Sequence, residues 1–515
     1  MPPRSGSRAS LRLRALALAI LGALAACTPG ALPAPGGTGT RPEPAGTIRL
    51  AYPDWPSTLN PVTEASPGAR DILRAVLPSF HIVTPDLEYR PSLLAEEPRV
   101  EVEDDRMEVA FRIRDGALWS DGTPITVRDV EFTAEVMVEP KVAAVDQEGF
   151  DQVVDVAQDS PTTGRLVLSP PLEGWRELFS AGRFVLPAHA ASSPAAVAGW
   201  DRGPPVAGGP FRIEEVVAGR SVMLERNDRY FGPRPLAERI EVAAVPDPTT
   251  AIQLLRAGRV DVVAPMLGVS WGRRLEALPG VEAAVTFGSE LVALVANAAR
   301  LSDPADRRAV ADAIDRSRFA TAVIREEGAL ADSLLPPVPG SETPWSAYGR
   351  GEPSVRPASE ELELVYVRTE LLELTARHLQ AEVQRAGGDL ELVGIESDVF
   401  WDTFLPERRF DLALVEVRDG PAPDLGEWFG APDGIWSSLT GHTDPELALL
   451  EDDVAAGVPG AVAEAEARLA ALAVVVPLYR LGTSMGWRQG VTGIEPNPSA
   501  DGPLWNAQEW SKPEV

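Results

Sequence analysis

Apolar residues recur along this chain with two different periods, and the segments that contain them predict alternating strands and helices. Met107–Gly116 alternates apolar and polar residues, which is typical of a strand with one buried face. Leu371–Gly388 repeats apolar residues at helical spacing, and its closing pair Gly387-Gly388 is a helix-ending signal. From residue 247 onward the two kinds of segment alternate, which favours an α/β protein with mostly parallel or mixed sheets.

The same two patterns predict the remaining elements. Thr126 and Asp247 are of the residue type that caps a helix N-terminus, so a helix is expected after each. Helical spacing also predicts a helix over 69–80 and a capped pair over 302–324. Short strands are predicted at 47–52, 165–169, 209–217, 221–227, 239–245, 362–367, 389–396 and 410–417.

The N-terminal segment is of a different kind. Residues 1–26 contain four arginines and no acid, and they end in the apolar run ALALAILGALAA, which is too short to span a bilayer well. Cys27 follows directly and is the only cysteine, so it has no partner for an internal disulfide. Leu24-Ala25-Ala26-Cys27 resembles the lipobox of bacterial lipoproteins, which implies cleavage before Cys27 and lipidation of its sulfur. The alternative is an ordinary secretory signal with an unmodified thiol.

Residues 27–46 predict a flexible tether. They are rich in Pro, Gly and Thr and have no periodic apolar pattern, so the segment is expected to reach on the order of 25 Å from the membrane. No later segment approaches the roughly eighteen uninterrupted apolar residues of a membrane span. The body that follows is therefore expected to lie outside the bilayer.

Composition excludes several classes of ligand. The formal net charge is −29 over 515 residues, and a surface so acidic repels nucleic acid and anionic lipid headgroups. The four histidines are scattered without the paired spacing of a metal site, so neither a metal nor another cofactor is expected. They are His81, His189, His378 and His442.

Six stretches in order resemble the bacterial extracellular solute-binding proteins of family 5, the oligopeptide and dipeptide receptors of ABC importers. The most specific is Phe111–Phe132, FRIRDGALWSDGTPITVRDVEF, which resembles the strand, D-G-T-P turn and helix of that family. The resemblance covers 46–515. The other five stretches are 209–242, 303–316, 371–388, 410–417 and 475–480.

The resemblance implies an α/β, two-lobed periplasmic-binding-protein-like fold of type II, cluster C, with an extra subdomain in the first lobe. It implies that lobe I comprises 47–288, with the subdomain inserted at about 67–199. Lobe II would comprise 289–481, and 482–515 would return into lobe I.

The resemblance also implies a function without enzymatic chemistry. The chain would be a monomeric, membrane-anchored substrate-binding protein that captures peptides or similar solutes in an interlobe cleft by hinge closure and delivers them to an ABC permease. It would be lipid-anchored at the cell membrane and face the extracellular or periplasmic side. The alternative is a related envelope lipoprotein with a regulatory or scaffolding role.

Two charged residues are candidates for the cleft because ligands bind beyond the carboxyl ends of strands in open α/β sheets. They are Arg368, after LELVYV, and Asp419, after FDLALVEV. In peptide-binding relatives an Asp holds the α-amino group of the ligand, and in dipeptide-binding relatives an Arg takes its carboxylate. Relatives usually have Trp three residues before that Asp, whereas this chain has Glu416. Alternatively, both candidates are solvated loop charges.

Two tryptophans are further candidates. Trp55 lies in the loop after the first predicted strand, and Trp401 leads a helix toward the cleft. Each is interpreted either as a ligand contact or as part of the core.

Four residues within the family motifs are expected to be structural. Asp121 is interpreted as a turn residue and Trp119 as a packed anchor beside that turn. Arg307 and Asp315 are interpreted as ion-pair or capping residues rather than ligand groups.

A serine hydrolase is the competing enzymatic interpretation. Gly268-Val-Ser270-Trp-Gly272 fits G-x-S-x-G between a predicted strand and a helix-like segment, the context of a nucleophile elbow. His378 and His442 follow it in the required order. The match covers five residues, whereas the solute-binding resemblance covers nearly the whole chain.

Overall fold

The computed structural model describes most of the body of the chain. The described residues are 46–513 apart from 54, 65, 104, 146, 148, 325–329, 335–344, 346–361, 406, 419–434 and 456–459. No helix within these ranges has the length and apolar character needed to cross a membrane.

Strands and helices alternate in the second half of the body, as the apolar pattern predicts. The strands are β1 (Thr47–Tyr52), β2 (His81–Val83), β3 (Tyr89–Pro91), β4 (Arg99–Glu103), β5 (Arg106–Arg112), β6 (Val153–Gln158), β7 (Thr163–Leu168), β8 (Phe211–Val217), β9 (Ser221–Arg226), β10 (Arg239–Ala244), β11 (Val262–Leu267), β12 (Val281–Ala296), β13 (Leu362–Val367), β14 (Leu390–Ile395), β15 (Leu412–Arg418) and β16 (Val475–Arg488).

Helices lie between these strands. The α-helices are α1 (Pro67–Arg74), α2 (Val127–Met137), α3 (Pro248–Arg256), α4 (Val269–Glu276), α5 (Pro304–Ala313), α6 (Arg316–Phe319), α7 (Glu370–Arg385), α8 (Ser397–Val399), α9 (Ile435–Thr440), α10 (Pro445–Ala455) and α11 (Ala461–Leu472). π-helical turns follow at Ala320–Ile324 and Phe400–Phe404, and 3-10 turns occur at Phe150–Gln152, Glu173–Phe179, Ala188–Ala190, Pro194–Gly199 and Ala507–Glu509.

The predicted helix caps are present. Thr126 and Asp129 form a capping box at the start of α2, with the backbone N–H of Thr126 donating to the Asp129 carboxylate at 2.8 Å. Asp247 accepts a hydrogen bond from the backbone N–H of Thr250 at 2.8 Å, and so caps α3. These polar residues satisfy N–H groups that a helix leaves unpaired in its first turn.

The four residues expected to be structural also have structural contacts. Asp121 accepts from the backbone N–H of Thr123 at 2.9 Å within the turn, and Trp119 is fully buried beside it. Asp315 caps α6, and the buried Arg307 donates to backbone carbonyl oxygens. The structural interpretation of all four residues is therefore confirmed.

One sheet of ten strands joins the two halves of the body. Its order is β14-β13-β15-β12-β16-β11-β1-β10-β9-β8. At its centre the long strands β12 and β16 run antiparallel to each other. On one side β11, β1 and β10 are parallel neighbours, and on the other side β15, β13 and β14 are parallel neighbours.

Separate apolar cores flank the two halves of this sheet. One half, here called lobe I, has cores on both of its faces, built around Leu50 on one face and Ala51 on the other. The other half, lobe II, has its own core, which includes Leu291–Ala296 of β12. The central strands β12 and β16 contribute residues to both lobes, and they are the structural link between them.

A smaller four-stranded sheet extends lobe I. Its order is β4-β5-β7-β6, all antiparallel, and α2 packs against it. Phe111 of β5 and Phe132 of α2 belong to the lobe I core, so this sheet is part of the same packed unit.

Candidate functional site

The pairing of β12 with β16 is interrupted at the boundary between the cores. Phe287 pairs with Gly482 and Leu291 pairs with Arg480, so three residues of β12 lie opposite one residue of β16. This is a bulge, which bends a strand locally. Met485 belongs to the lobe I core, whereas Leu481 belongs to the lobe II core. The interruption therefore coincides with the change from one lobe to the other.

The carboxyl ends of parallel strands from both lobes meet at this interruption. In lobe I, β11 ends at Leu267, which pairs with Thr483 beside Gly482. In lobe II, β15 ends at Arg418, which pairs with Glu290 inside the bulge. In lobe I, β1 runs parallel to β11, so the carboxyl ends of these two strands lie on the same side. In lobe II, β13 and β14 run parallel to β15, so their carboxyl ends lie on the side where β15 ends. Ligands of open α/β sheets bind at such ends.

The lobe I edge of this site exposes apolar side chains. Leu267, the last residue of β11, is 58% exposed although it is a large aliphatic residue. Trp55 follows the end of β1, is half-buried and packs against the lobe I core. Gly268 precedes α4 with φ +106°, a conformation that side chains disfavour, and its carbonyl accepts from Ser484 Oγ at 2.9 Å. These contacts fix the turn between β11 and α4.

At the lobe II edge, Arg368 lies directly after β13. Its guanidinium donates to Glu396 Oε1 at 2.8 Å and to the carbonyl oxygen of Gly394 at 2.6 Å. The side chain of Arg368 is 58% exposed, so water weakens this ion pair. In this conformation Arg368 is held against β14, and a ligand carboxylate would compete with Glu396 for it.

Three of the predicted site residues are described in part or not at all. Asp419 lies outside the described residues, directly after the end of β15, and Cys27 lies outside them as well. Trp401 belongs to the π-helical turn that follows β14 and α8. Such turns occur frequently at functional sites, and this one begins five residues after the carboxyl end of β14.

Glu416, which stands where relatives usually have Trp, belongs to a row of side chains that crosses three strands. Glu416 of β15 lies opposite Val292 of β12, which lies opposite Tyr479 of β16. Opposed residues of antiparallel strands point to the same face of a sheet. The Tyr479 hydroxyl is 3.0 Å from the Thr375 hydroxyl on α7, which identifies that face. Burial raises the pKa of Tyr479 above its ordinary value, and the negative charge of Glu416 adds to this effect.

The residues of the competing hydrolase interpretation lie apart from one another. Ser270 is exposed in the first turn of α4. His378 Nε2 is 3.1 Å from Glu382 on its own helix, and His442 Nε2 is 3.7 Å from Asp444. Burial lowers the pKa of His378. Within the described ranges, therefore, neither histidine contacts Ser270 as a general base must.

Metal ligands are also not grouped in the described part of the body. No set of three or more His, Cys, Asp or Glu side chains there is arranged to hold a metal ion.

Comparison with known proteins gives one family match. Residues 88–364 match the sequence profile described as bacterial extracellular solute-binding proteins, family 5 Middle. This match covers more than half of the chain, and three of the six motif stretches lie wholly or mostly inside it.

Individual relatives have different named ligands. A probable monoacyl phosphatidylinositol tetramannoside-binding protein, LpqW of Mycobacterium tuberculosis, is 30% identical over 315 residues, 57% of this chain and 48% of that protein. The oligopeptide-binding protein OppA of the same organism is 26% identical over 215 residues, 39% of this chain and 35% of that protein. The matched region thus spans half or less of the length of these relatives.

A solved structure confirms the fold. The periplasmic EDTA-binding protein EppA superposes with a TM-score of 0.75 at 21% identity, covering 92% of this chain and 97% of that one. The predicted α/β, two-lobed binding-protein fold is therefore correct.

Proposed function

Because this chain belongs to the bacterial extracellular solute-binding proteins, family 5, we propose that it is the substrate-binding protein of an ABC importer. It captures a peptide or a similar solute in the cleft between the lobes, closes on it by a hinge motion and delivers it to a permease. It binds and releases its solute without chemical change.

The observation that supports this proposal most directly is the meeting of strand ends at the β12–β16 bulge. Leu267 and Arg418 end strands of different lobes, yet their partners Thr483 and Glu290 both lie at the bulge. A solute bound there contacts both lobes, so it favours the closed arrangement by its differential affinity. We place the hinge at the bulge because the pairing of β12 with β16 is interrupted there.

We propose that the lobes divide at the bulge. Lobe I then comprises 47–288, with the inserted subdomain at about 67–199, and lobe II comprises 289–481. The segment 482–515 returns into lobe I. The change of core between Leu481 and Met485 on β16 supports this division.

We propose further that the protein acts as a monomer held at the outer side of the cell membrane by lipidation of Cys27. The lipobox-like Leu24–Cys27 and the Pro- and Gly-rich segment after it support this location. Replacing Cys27 by Ala should release the protein from the membrane fraction into the medium or periplasm. Membrane retention of the Ala variant would contradict lipid anchoring at this residue.

The test of the binding function begins with native mass spectrometry of protein purified from its own cells, which should show a bound small solute. Thermal-shift measurements with di- to pentapeptides then show whether the solute is a peptide. A ligand at 100 times its Kd stabilises the folded state by about 2.7 kcal/mol, which raises the melting temperature measurably. If no peptide in this range raises it, the peptide assignment is wrong.

Four residues are proposed for the site: Asp419 for an α-amino group, Arg368 for a carboxylate, and Trp55 and Trp401 for apolar contact. Asp419→Asn should abolish peptide binding and leave the melting temperature of the free protein unchanged. Arg368→Met should weaken binding of peptides with a free carboxylate more than binding of amidated ones. If the variant loses the same affinity for free and for amidated peptides, Arg368 does not bind the ligand carboxylate.

A second candidate within the same family is a glycolipid-type solute. The 30% identity to LpqW, whose name states binding of a phosphatidylinositol tetramannoside, favours it. In that case the protein would have an envelope role, regulatory or scaffolding, rather than a role in nutrient import. The bound solute found by native mass spectrometry separates the two candidates by its mass.

A further inference from the structure

Leu267 is a large aliphatic side chain that the fold leaves in contact with water. It ends β11 at the junction of the lobes and is 58% exposed, whereas the preceding Met266 is buried. A ligand group that covered Leu267 would remove apolar surface from water, which is favourable. The four residues proposed for the site do not include it. Because single exposed leucines are common on protein surfaces, the position of Leu267 decides what its exposure means.

The backbone around Leu267 is fixed by its neighbours in the sheet. Leu267 pairs with Thr483 of β16, and the backbone N–H of Gly268 donates to the carbonyl oxygen of Gly482 at 2.8 Å. The carbonyl oxygen of Gly268 accepts from Ser484 Oγ at 2.9 Å. The exposed side chain therefore projects from an ordered strand end, and a ligand that binds it does not first have to order a loop.

Leu267 and Trp55 follow neighbouring strands on the same face of the sheet. In the parallel pair of β1 and β11, Ala51 lies opposite Val263. Trp55 and Leu267 each come four residues later, and adjacent strands are about 4.8 Å apart. Met266 packs in the core on one face, so Leu267 faces the other. Trp55 packs against the core on that other face, so an aromatic and an aliphatic side chain mark the same edge of the cleft.

We propose that Leu267, together with Trp55, binds a bulky aliphatic side chain of a peptide ligand, so that the protein prefers peptides that contain leucine or a similar residue. This inference rests on the proposed function, and it names the substrate class of that same site. The lobe II edge presents the charged pair of Arg368 and Glu396, so the apolar part of the ligand has its place on lobe I. Closure at the bulge removes water from this contact, and the burial of apolar surface then favours the closed arrangement.

The test compares tripeptides in which leucine is replaced by asparagine, a side chain of the same shape with polar end atoms. Three pairs place the exchanged residue first, second or last, with alanine at the other two positions. Isothermal titration of the wild-type protein should give a Kd about tenfold lower for the leucine peptide in at least one pair. The pair with the largest ratio of Kd values is then used for the variants.

Leu267→Ala should lower this ratio by at least about threefold, because it removes the aliphatic contact and leaves Trp55 in place. The Kd of the asparagine peptide should change by less than about twofold, because that peptide does not use the contact.

Leu236→Ala is the matched control. Leu236 is 63% exposed and lies in lobe I shortly before β10. Because β10 runs parallel to β1, this leucine is at the opposite end of the sheet from the carboxyl ends. The control should keep the full ratio of Kd values. Both variants shorten exposed side chains, and equal melting temperatures of the free proteins will show that both fold.

The outcomes separate the inference from the function on which it rests. If no leucine peptide binds more tightly than its asparagine partner, or if Leu267→Ala weakens both peptides equally or neither, the inference is wrong and peptide binding stands. The inference is also wrong if Leu236→Ala lowers the ratio as much as Leu267→Ala. If none of the six peptides binds, the inference is wrong, and if di- to pentapeptides also produce no thermal shift, the peptide function is wrong with it.

Discussion

The two lobes bury positive charge in different ways. In lobe I, Arg74 of α1 donates to Asp501 at 3.1 Å, and both side chains are almost fully buried. Asp501 also accepts from the backbone N–H of Val83, so it joins segments more than 400 residues apart in the chain.

In lobe II, by contrast, the buried Arg307 of α5 donates to the carbonyl oxygens of Leu472, Leu301 and Ser302 at 2.9, 2.6 and 3.1 Å. One of these carbonyls, that of Leu472, belongs to the last residue of α11. Lobe I therefore neutralises this charge with a carboxylate, whereas in lobe II the charge of Arg307 binds carbonyl oxygens, one of them at the C-terminus of α11. This difference predicts different sensitivities to substitution.

The largest expected effect is that of Asp501→Asn in lobe I. The variant leaves the Arg74 charge buried without a counter-charge, which should lower the free energy of unfolding by about 3–5 kcal/mol. Urea unfolding monitored by tryptophan fluorescence measures the loss. The control is Glu101→Gln, which removes an exposed pair with Arg99 and should change little. A loss below about 1 kcal/mol for Asp501→Asn would mean that the pair does not support lobe I.

Arg307→Met in lobe II should have a smaller effect, about 2 kcal/mol. The variant keeps most of the aliphatic volume but leaves three carbonyl oxygens without their charged donor. Arg308→Met is the matched control, because Arg308 is exposed and donates to the Ala471 carbonyl at a longer distance, 3.3 Å. If both variants unfold at the same urea concentration as the wild type, capping by Arg307 is not a source of stability.

Gly482→Ala tests the β12–β16 junction between the lobes rather than either lobe. We expect the free energy of unfolding to fall by about 1 kcal/mol. A Cβ at this position would lie 2.8 Å from a Val269 methyl carbon and 3.0 Å from the Phe287 ring, so one of them must move. The control is Gly199→Ala, where a Cβ meets no atom within 4 Å. Because Gly482 pairs with Phe287 next to the bulge, ligand affinity should fall as well. Unchanged affinity would argue against hinge motion here.

The smallest expected effect is a dependence of stability on pH that both lobes share. Burial lowers the pKa of His81 in lobe I and of His378 in lobe II below the ordinary value of 6.5. Both histidines therefore bind protons more readily in the unfolded chain. Their contribution to stability is present above pH 6.5 and is lost as the pH falls through the folded pKa.

Replacement of these histidines separates the two lobes. His81→Gln and His378→Gln should each reduce the fall in unfolding free energy between pH 7 and pH 5, and His81→Gln should have the larger effect because His81 is the more deeply buried. Urea unfolding at the two pH values measures this. A steeper pH dependence in either variant would contradict the assigned direction of the pKa shift.

The sequence predicted those parts of the fold that depend on neighbouring residues. Thr126 and Asp129 are three residues apart, and their capping box follows from that spacing. The strand Leu362–Val367 has the bounds that its apolar pattern predicts, because that pattern lies within the strand itself.

The two central strands were not predicted as strands of this length. In β12 the residues Leu291–Ala296 are all apolar and all buried in the lobe II core, so this part of the strand lacks the alternating pattern that predicts strands. The Arg74–Asp501 pair has no local signal either, because its partners meet only in the folded chain. The same holds for the pairing of Arg368 with Glu396, which redirects a predicted ligand group.

The position of Asp501 has a consequence for biosynthesis. During translation, residues of lobe II emerge from the ribosome before Asp501, Asn497 and the returning half of β16, which lobe I requires. Lobe II therefore has its sequence complete first, although lobe I begins earlier in the chain. Until residues 482–501 are made, the nascent chain has Arg74 without its counter-charge and β11 without its antiparallel neighbour. An unfinished polypeptide thus keeps an open sheet edge, which is the surface that molecular chaperones recognise and that degradation favours.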